Sequence, residues 1–196
     1  MLKNLLKKKE FKSDVKDFYN RHKEKILDIV LFGSATKGKE KPADIDLMII
    51  YRDKEDFDSN YELKKLTNAS VTGITYEKLI SPQFIAKEGY LLNGYSLVFD
   101  KKMSEAHGFE SKTIIRYDLN GLNKSQRMRF YYALLGRDYK SGIMKELNAV
   151  KLSDNVIMIE SEKEFELTDF FKYWKIKYII IPVLIPTRIA ESNALR

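Results

Sequence analysis

Apolar positions along the chain switch between a helical spacing of three to four and short unbroken runs, and each switch marks an element. Behind Ser13, a residue suited to cap a helix, Val15, Phe18, Tyr19, His22 and Ile26 recur at helical spacing. They predict a helix with one face on a sheet. Residues 28–32 read as a short buried strand and, after a polar loop from Gly33 to Ala43, a second strand covers residues 44–51. The charged stretch 52–60 reads as loop, while 61–66 fits a short helix or a strand equally. Residues 69–75 predict a third strand. Ser81-Pro82 predicts the start of a short helix through residues 84–88, and 95–100 a further strand.

Residues 101–112 are polar, hold Gly108 and carry no sustained period, so a domain boundary is expected there. The chain then reads as a domain over 1–104, a linker over 105–112 and a second domain over 113–196. The second domain opens with a strand at 113–119. Asn123 with Gln126 forms a capping box ahead of a helix in which Met128, Tyr131, Tyr132 and Leu135 share a face. A short helix or turn at 141–147 precedes two strands, 150–152 and 156–160, joined by Ser153-Asp154-Asn155. A second capping box, Ser161 with Glu164, opens a helix to about Trp174, and 177–185 is the last strand. This βαββαβ order is that of the ferredoxin-like split βαβ unit. Pro182 cannot donate to a ladder, so the last strand should lie at a sheet edge or carry a bulge.

Composition narrows the chemistry. The 196 residues include no cysteine and two histidines, which excludes disulfides, thiolate zinc sites and cysteine nucleophiles and leaves carboxylates, lysines and hydroxyls. A net charge of +7 favours partners rich in phosphate. No apolar run approaches the roughly 20 residues of a membrane span, and the N-terminus lacks the pattern of a signal peptide, so a cytoplasmic protein is expected.

One segment concentrates candidate chemistry: LFGSATKGKEKPADIDLMII, residues 31–50. Successive strand side chains point to opposite faces, so Asp44 and Asp46 lie side by side while Ile45, Leu47 and Ile49 face the other way. Two adjacent carboxylates repel unless a positive charge sits between them, and hard oxygen ligands of this kind suit Mg²⁺ (or Mn²⁺) accompanied by substrate phosphates. Gly33-Ser34, directly after a strand, lets backbone approach a phosphate closely and offers N–H groups and a hydroxyl. Lys37, Lys39 and Lys41 are placed to neutralise phosphate charge. The segment predicts a metal-nucleotide site.

Gly-Ser, a spacer, then Asp-hydrophobic-Asp between hydrophobic strands resembles the DNA polymerase β superfamily, especially its minimal nucleotidyltransferases, over residues 28–100. The resemblance implies an α+β fold with a mixed sheet and helices, followed here by the small ferredoxin-like domain. It also implies that Gly33 and Ser34 hold a nucleoside triphosphate, ATP by default, that Asp44 and Asp46 bind Mg²⁺, and that a nucleoside monophosphate passes to a hydroxyl of a nucleic-acid or protein acceptor. The family pattern includes a third carboxylate from a later strand. The matching strand here, 69–75, contains none; Ser70 or Thr72 falls near the place, and Glu77 and Asp100 do not.

The alternative is a non-catalytic nucleotidyltransferase fold serving as a nucleic-acid-binding or protein-interaction module. Lys124, Arg127, Arg129, Arg137 and Lys140, interleaved with Tyr131, Tyr132 and Tyr139, could bind phosphates and stack bases. The plainer reading packs the tyrosines on the sheet and leaves the cations to solvent.

Overall fold

The apolar face read from Val15 and Phe18 does lie on a sheet. The computed structural model describes residues 9–33, 36, 44–137 and 141–190, and the chain divides into two units, Met1–Gly108 and Phe109–Arg196. In the first unit α1 (Lys9–His22) leads to β1 (Ile26–Phe32), β2 (Asp46–Tyr51), α2 (Phe57–Thr67), β3 (Ser70–Thr75), α3 (Tyr76–Ile80) and α4 (Lys87–Asn93). Two-residue strands β4 (Tyr95–Ser96) and β5 (Lys101–Lys102) and a short α5 (Met103–Ala106) complete it. The sheet order is β3-β2-β1-β4-β5, with β2 and β3 parallel and the other pairs antiparallel. It is therefore a mixed sheet.

Both faces of this sheet are covered, which explains why its central strands read as unbroken apolar runs. On one face Val15 and Phe18 of α1 and Leu63 of α2 pack with Ile29, Leu31, Leu47, Ile49 and Tyr51. On the other, Leu79 of α3, Tyr90 of α4 and Met103 of α5 pack with Val30, Met48, Ile50 and Ile74. Ser13 lies inside α1 rather than capping it, its Oγ donating to Asp17 Oδ2 at 3.4 Å. Ile26 opens β1, because a Lys25 N–H to His22 carbonyl bond ends the helix first.

The charged stretch 52–60 hides a cap. Asp56 accepts from the backbone N–H groups of Asp58 (3.1 Å) and Ser59 (3.3 Å) and starts α2 at Phe57. Its other oxygen meets Lys25 Nζ at 2.9 Å. Ser81-Pro82 acts as a stop and not as a start: Ser81 ends α3, and Pro82, lacking an N–H, cannot prolong it. The next helix waits until Lys87. The strand expected over 95–100 shrinks to Tyr95–Ser96, because Ser96 Oγ accepts from Phe99 N–H at 2.9 Å and turns the chain.

In the second unit β6 (Phe109–Asp118) is followed by α6 (Lys124–Leu135), α7 (Ile143–Glu146), β7 (Val150–Ser153), β8 (Val156–Glu160), α8 (Glu164–Tyr173), β9 (Lys177–Pro186) and α9 (Thr187–Ala190). Its strands run β7-β8-β6-β9, every neighbour antiparallel, which is the order of a split βαβ unit. Pro182 sits on edge strand β9 opposite Thr113. Residues 109–112, read as the end of a linker, belong to β6.

Two local readings are corrected here. The Asn123–Gln126 capping box forms, but the buried face of α6 is Phe130 and Leu134, and Met128 and Tyr132 point to solvent. Phe130 meets Tyr117 at 5.7 Å, Trp174 at 5.7 Å and Phe171 at 6.3 Å between ring centroids. Nor do Ser161 and Glu164 make a capping box. A 3₁₀ turn, Ser161–Lys163, precedes α8, and both side chains serve β6 instead: Ser161 Oγ pairs with Ser111 Oγ at 2.8 Å, and Glu164 Oε2 accepts from Thr113 Oγ1 at 3.0 Å. Thr113 is fully buried, so its hydroxyl needs that partner.

Phe130→Ala should lower unfolding free energy by about 3–5 kcal/mol in denaturant titration. Lys25, together with the α2 backbone donors, holds the Asp56 carboxyl down at about 2. A depressed folded value stabilises above the unfolded one, near 3.8, and the gain is lost as pH falls toward 2. Asp56→Asn, which keeps a cap, should therefore be less stable at pH 6 by up to about 2 kcal/mol, and unfolding curves should converge with the wild type at pH 2.

Candidate functional site

Strands β1 and β2 bring the two halves of the predicted motif together, because Phe32 pairs with Asp46 and the chain turns at Gly33 immediately beyond. Gly33 has φ of +79°, the left-handed region open to glycine. A Cβ placed on it would fall onto the Asp46 carboxylate, with Cγ at 3.3 Å. Glycine is thus required twice, for the turn and for the space. Thr36, 6% exposed, donates its Oγ1 to the Gly33 carbonyl at 2.9 Å and closes a turn over it. The sequence pattern does not single out Thr36; a hydroxyl three residues after a turn glycine is the signal that could have found it.

Ile45 packs toward the α1–α2 core and its carbonyl accepts from Ser70 N–H at 2.8 Å, so the backbone between the aspartates is pinned. Asp46 opens β2 half-buried, and Asp44, exposed two residues earlier, falls before the strand and not within it as expected, because the ladder with β1 ends at the Phe32–Asp46 pair. No described basic side chain pairs with either carboxylate. Ser34, Lys37, Lys39 and Lys41 lie outside the described residues.

The neighbouring parallel strand sets Ser70 beside Asp46 and Thr72 beside Met48, and both hydroxyl residues are exposed. Three other described acids are held elsewhere. Glu77 follows the far end of β3, where Thr75 pairs with Tyr51. Asp100 accepts from Lys12 Nζ at 2.7 Å and Tyr95 OH at 2.8 Å, contacts that hold its carboxyl below the usual range. Asp28 shares the face of Asp46 but pairs with Ile50, four residues down β1, roughly 13 Å away. Burial pushes its carboxyl up, and Ser96 Oγ and Ile29 N–H each donate to it at 2.7 Å. Among the described residues no three His, Cys, Asp or Glu side chains gather as a metal cluster.

Neither histidine joins the site. His22 meets Glu62 at 3.0 Å, tying α1 to α2, and His107 lies 3.4 Å from Tyr90 OH. A concavity of about 720 Å³ opens at the other end of β2, lined by Glu24 and the acids of the 53–58 stretch against Lys25 and Lys54. That surface would repel a triphosphate.

In the second unit Lys124, Arg127 and Arg129 are exposed on α6, and Arg137 lies 5.6 Å over the exposed Tyr132 ring just beyond it. Arg127 Nε also donates to the Leu122 carbonyl at 3.0 Å. Tyr131 is half-buried against the core, whereas Tyr132 is not, so the two tyrosines divide between packing and exposure. Lys140 and Tyr139 lie outside the described residues.

Residues 13–82 match the family model "Polymerase beta, Nucleotidyltransferase", a span running from within α1 past α3 and containing Gly33, Asp44 and Asp46. The first unit carries a polymerase beta nucleotidyltransferase domain, which supports nucleoside monophosphate transfer as its general chemistry. No curated protein matches the sequence significantly. Partial likeness is found to three solved structures. A toxin–antitoxin MntA–HpeT mutant gives 18% identity and a TM-score of 0.34, over 44% of this chain and 71% of that one. A toxin–antitoxin with AMP-PNP gives 20% and 0.35, over 44% and 71%. A tri-AMPylated Shewanella oneidensis HEPN toxin in complex with MNT antitoxin gives 21% and 0.32, over 44% and 68%. None of the described helices is long and apolar enough to cross a membrane.

Gly33→Ala should weaken binding of a fluorescent nucleoside triphosphate by on the order of tenfold or more, because the added methyl displaces the Asp46 carboxylate. Thr36→Ser should bind as the wild type does, and Thr36→Val should not.

Proposed function

We propose that this chain moves a nucleoside monophosphate from a nucleoside triphosphate, ATP by default, to a hydroxyl of a nucleic-acid or protein acceptor, in a reaction dependent on Mg²⁺ (or Mn²⁺). The observation that carries this reading is the Asp46 carboxylate lying against the Gly33 backbone, with the exposed Asp44 two residues away and no described cation neutralising either acid. Such a pair of hard oxygen ligands fits a divalent cation, so Asp44 and Asp46 would hold it. When bound, the cation supplies charge neutralisation for the triphosphate and polarises the phosphoryl group under attack.

The chain's own residues do the positioning. Gly33, held by Thr36, would let the chain approach the phosphates closely, with Ser34, Lys37 and Lys41 as donors and counter-charges. Ile45, locked to β3, keeps Asp44 and Asp46 from turning away. The covered sheet behind them is rigid, which favours a fixed reacting geometry.

Incubation with α-labelled triphosphates and Mg²⁺ should transfer label to the acceptor, and Asp46→Asn should reduce transfer by on the order of a hundredfold or more. Undiminished transfer in that variant would sink this mechanism. Label on nucleic acid or on protein identifies the acceptor class.

A second reading, binding without turnover, draws on α6. Its sequence KSQRMRFYYALL has no acid, and Lys124 sits in the first turn, where the helix dipole disfavours a cation. A nucleic-acid phosphate backbone would compensate that arrangement. Changing Arg127, Arg129 and Arg137 to alanine should then make log affinity for DNA or RNA fall less steeply with log salt, by about 0.9 in slope for each phosphate no longer neutralised. An unchanged slope would exclude this surface.

A further inference from the structure

We infer that the Asp44–Asp46 site takes one divalent cation per bound nucleotide, not two, because the strand flanking it presents hydroxyls in place of a carboxylate; this rests on the nucleotide site proposed above. A pair of divalent ions about 3.5–4 Å apart needs anionic ligands arranged around both to offset their mutual repulsion. Two carboxylates match the charge of a single divalent cation. A further acid would have to come from the surroundings of Asp46.

Among the described residues, those surroundings are set by β1, β2 and β3. On β1, Phe32 is the partner of Asp46, and Asp28 on the same face is buried, bonded to Ser96 and about four residues distant. On β3, Ser70 is the direct partner of Asp46 and Thr72 follows on the same face, both exposed. Parallel neighbours in register lie about 4.8 Å apart, so Ser70 occupies the place from which a carboxylate would bridge a second cation. A neutral hydroxyl binds a divalent cation weakly and contributes no charge. Past β2, the acids of α3 and of the 53–58 stretch stand at the opposite end of the strands. Among the described residues at this end of the strands, Asp44 and Asp46 are the carboxylates, enough to hold one cation alongside triphosphate oxygens.

Mn²⁺ binding counted by electron paramagnetic resonance, with a saturating non-hydrolysable triphosphate, tests this without reference to turnover. Nucleotide occupancy is measured in parallel by fluorescence. Wild type should bind one Mn²⁺ per bound nucleotide, and either Ser70→Asp or Thr72→Asp, at exposed positions, should raise the count to two. Two Mn²⁺ per nucleotide in the wild type would overturn the inference while leaving the nucleotide site standing. Absence of nucleotide binding would overturn both. If both carboxylate variants melt as the wild type does and still bind one, the hydroxyl row does not set the count and the assignment to β3 fails.

Discussion

A carboxylate pressed against a glycine backbone is the constraint on which the first unit's site depends. Asp46 can occupy its position because residue 33 has no side chain, and the chain can turn there because glycine accepts φ of +79°. Any other residue would strain the turn and push the acid aside at once. The same contact fixes where a nucleotide would meet the protein. Gly33 after β1 and Asp46 at the start of β2 are brought to one point at the end of two paired strands.

Rigidity behind that point comes from a sheet covered on both faces. Ile45, Leu47 and Ile49 face one core while Met48 and Ile50 face the other, so β2 cannot rotate without emptying a core. Asp46 opens the strand half-buried, and Asp44 before it is exposed. Asp28 shows what happens to an acid further down the face of Asp46: it is buried, desolvated and committed to Ser96.

Much of this is legible from residue order. The LFGSATKGKEKPADIDLMII segment indicates the turn at Gly33 and the strand pair, and Pro182 points to the edge strand of the second unit. Residue order misleads where a polar side chain has two possible partners. Ser161 and Glu164 have capping-box spacing, yet a buried Thr113 hydroxyl claims them, and that need is visible only once β6 is in place. Asp56 is hidden because charge in 52–60 suggests loop, although an acid two and three residues before free backbone N–H groups is a cap. Met128 and Tyr132 read as core because helical spacing alone does not say which of two overlapping faces is inward; Phe130, amid several aromatic rings, takes that role.

The most direct test of this account is hydrogen exchange measured with and without a non-hydrolysable nucleoside triphosphate and Mg²⁺. Peptides covering 29–33 and 44–48 should gain protection, while those covering 53–58, beside the acidic concavity, should not. Protection confined to 53–58, with exchange at Gly33 and Asp46 unchanged, would contradict it.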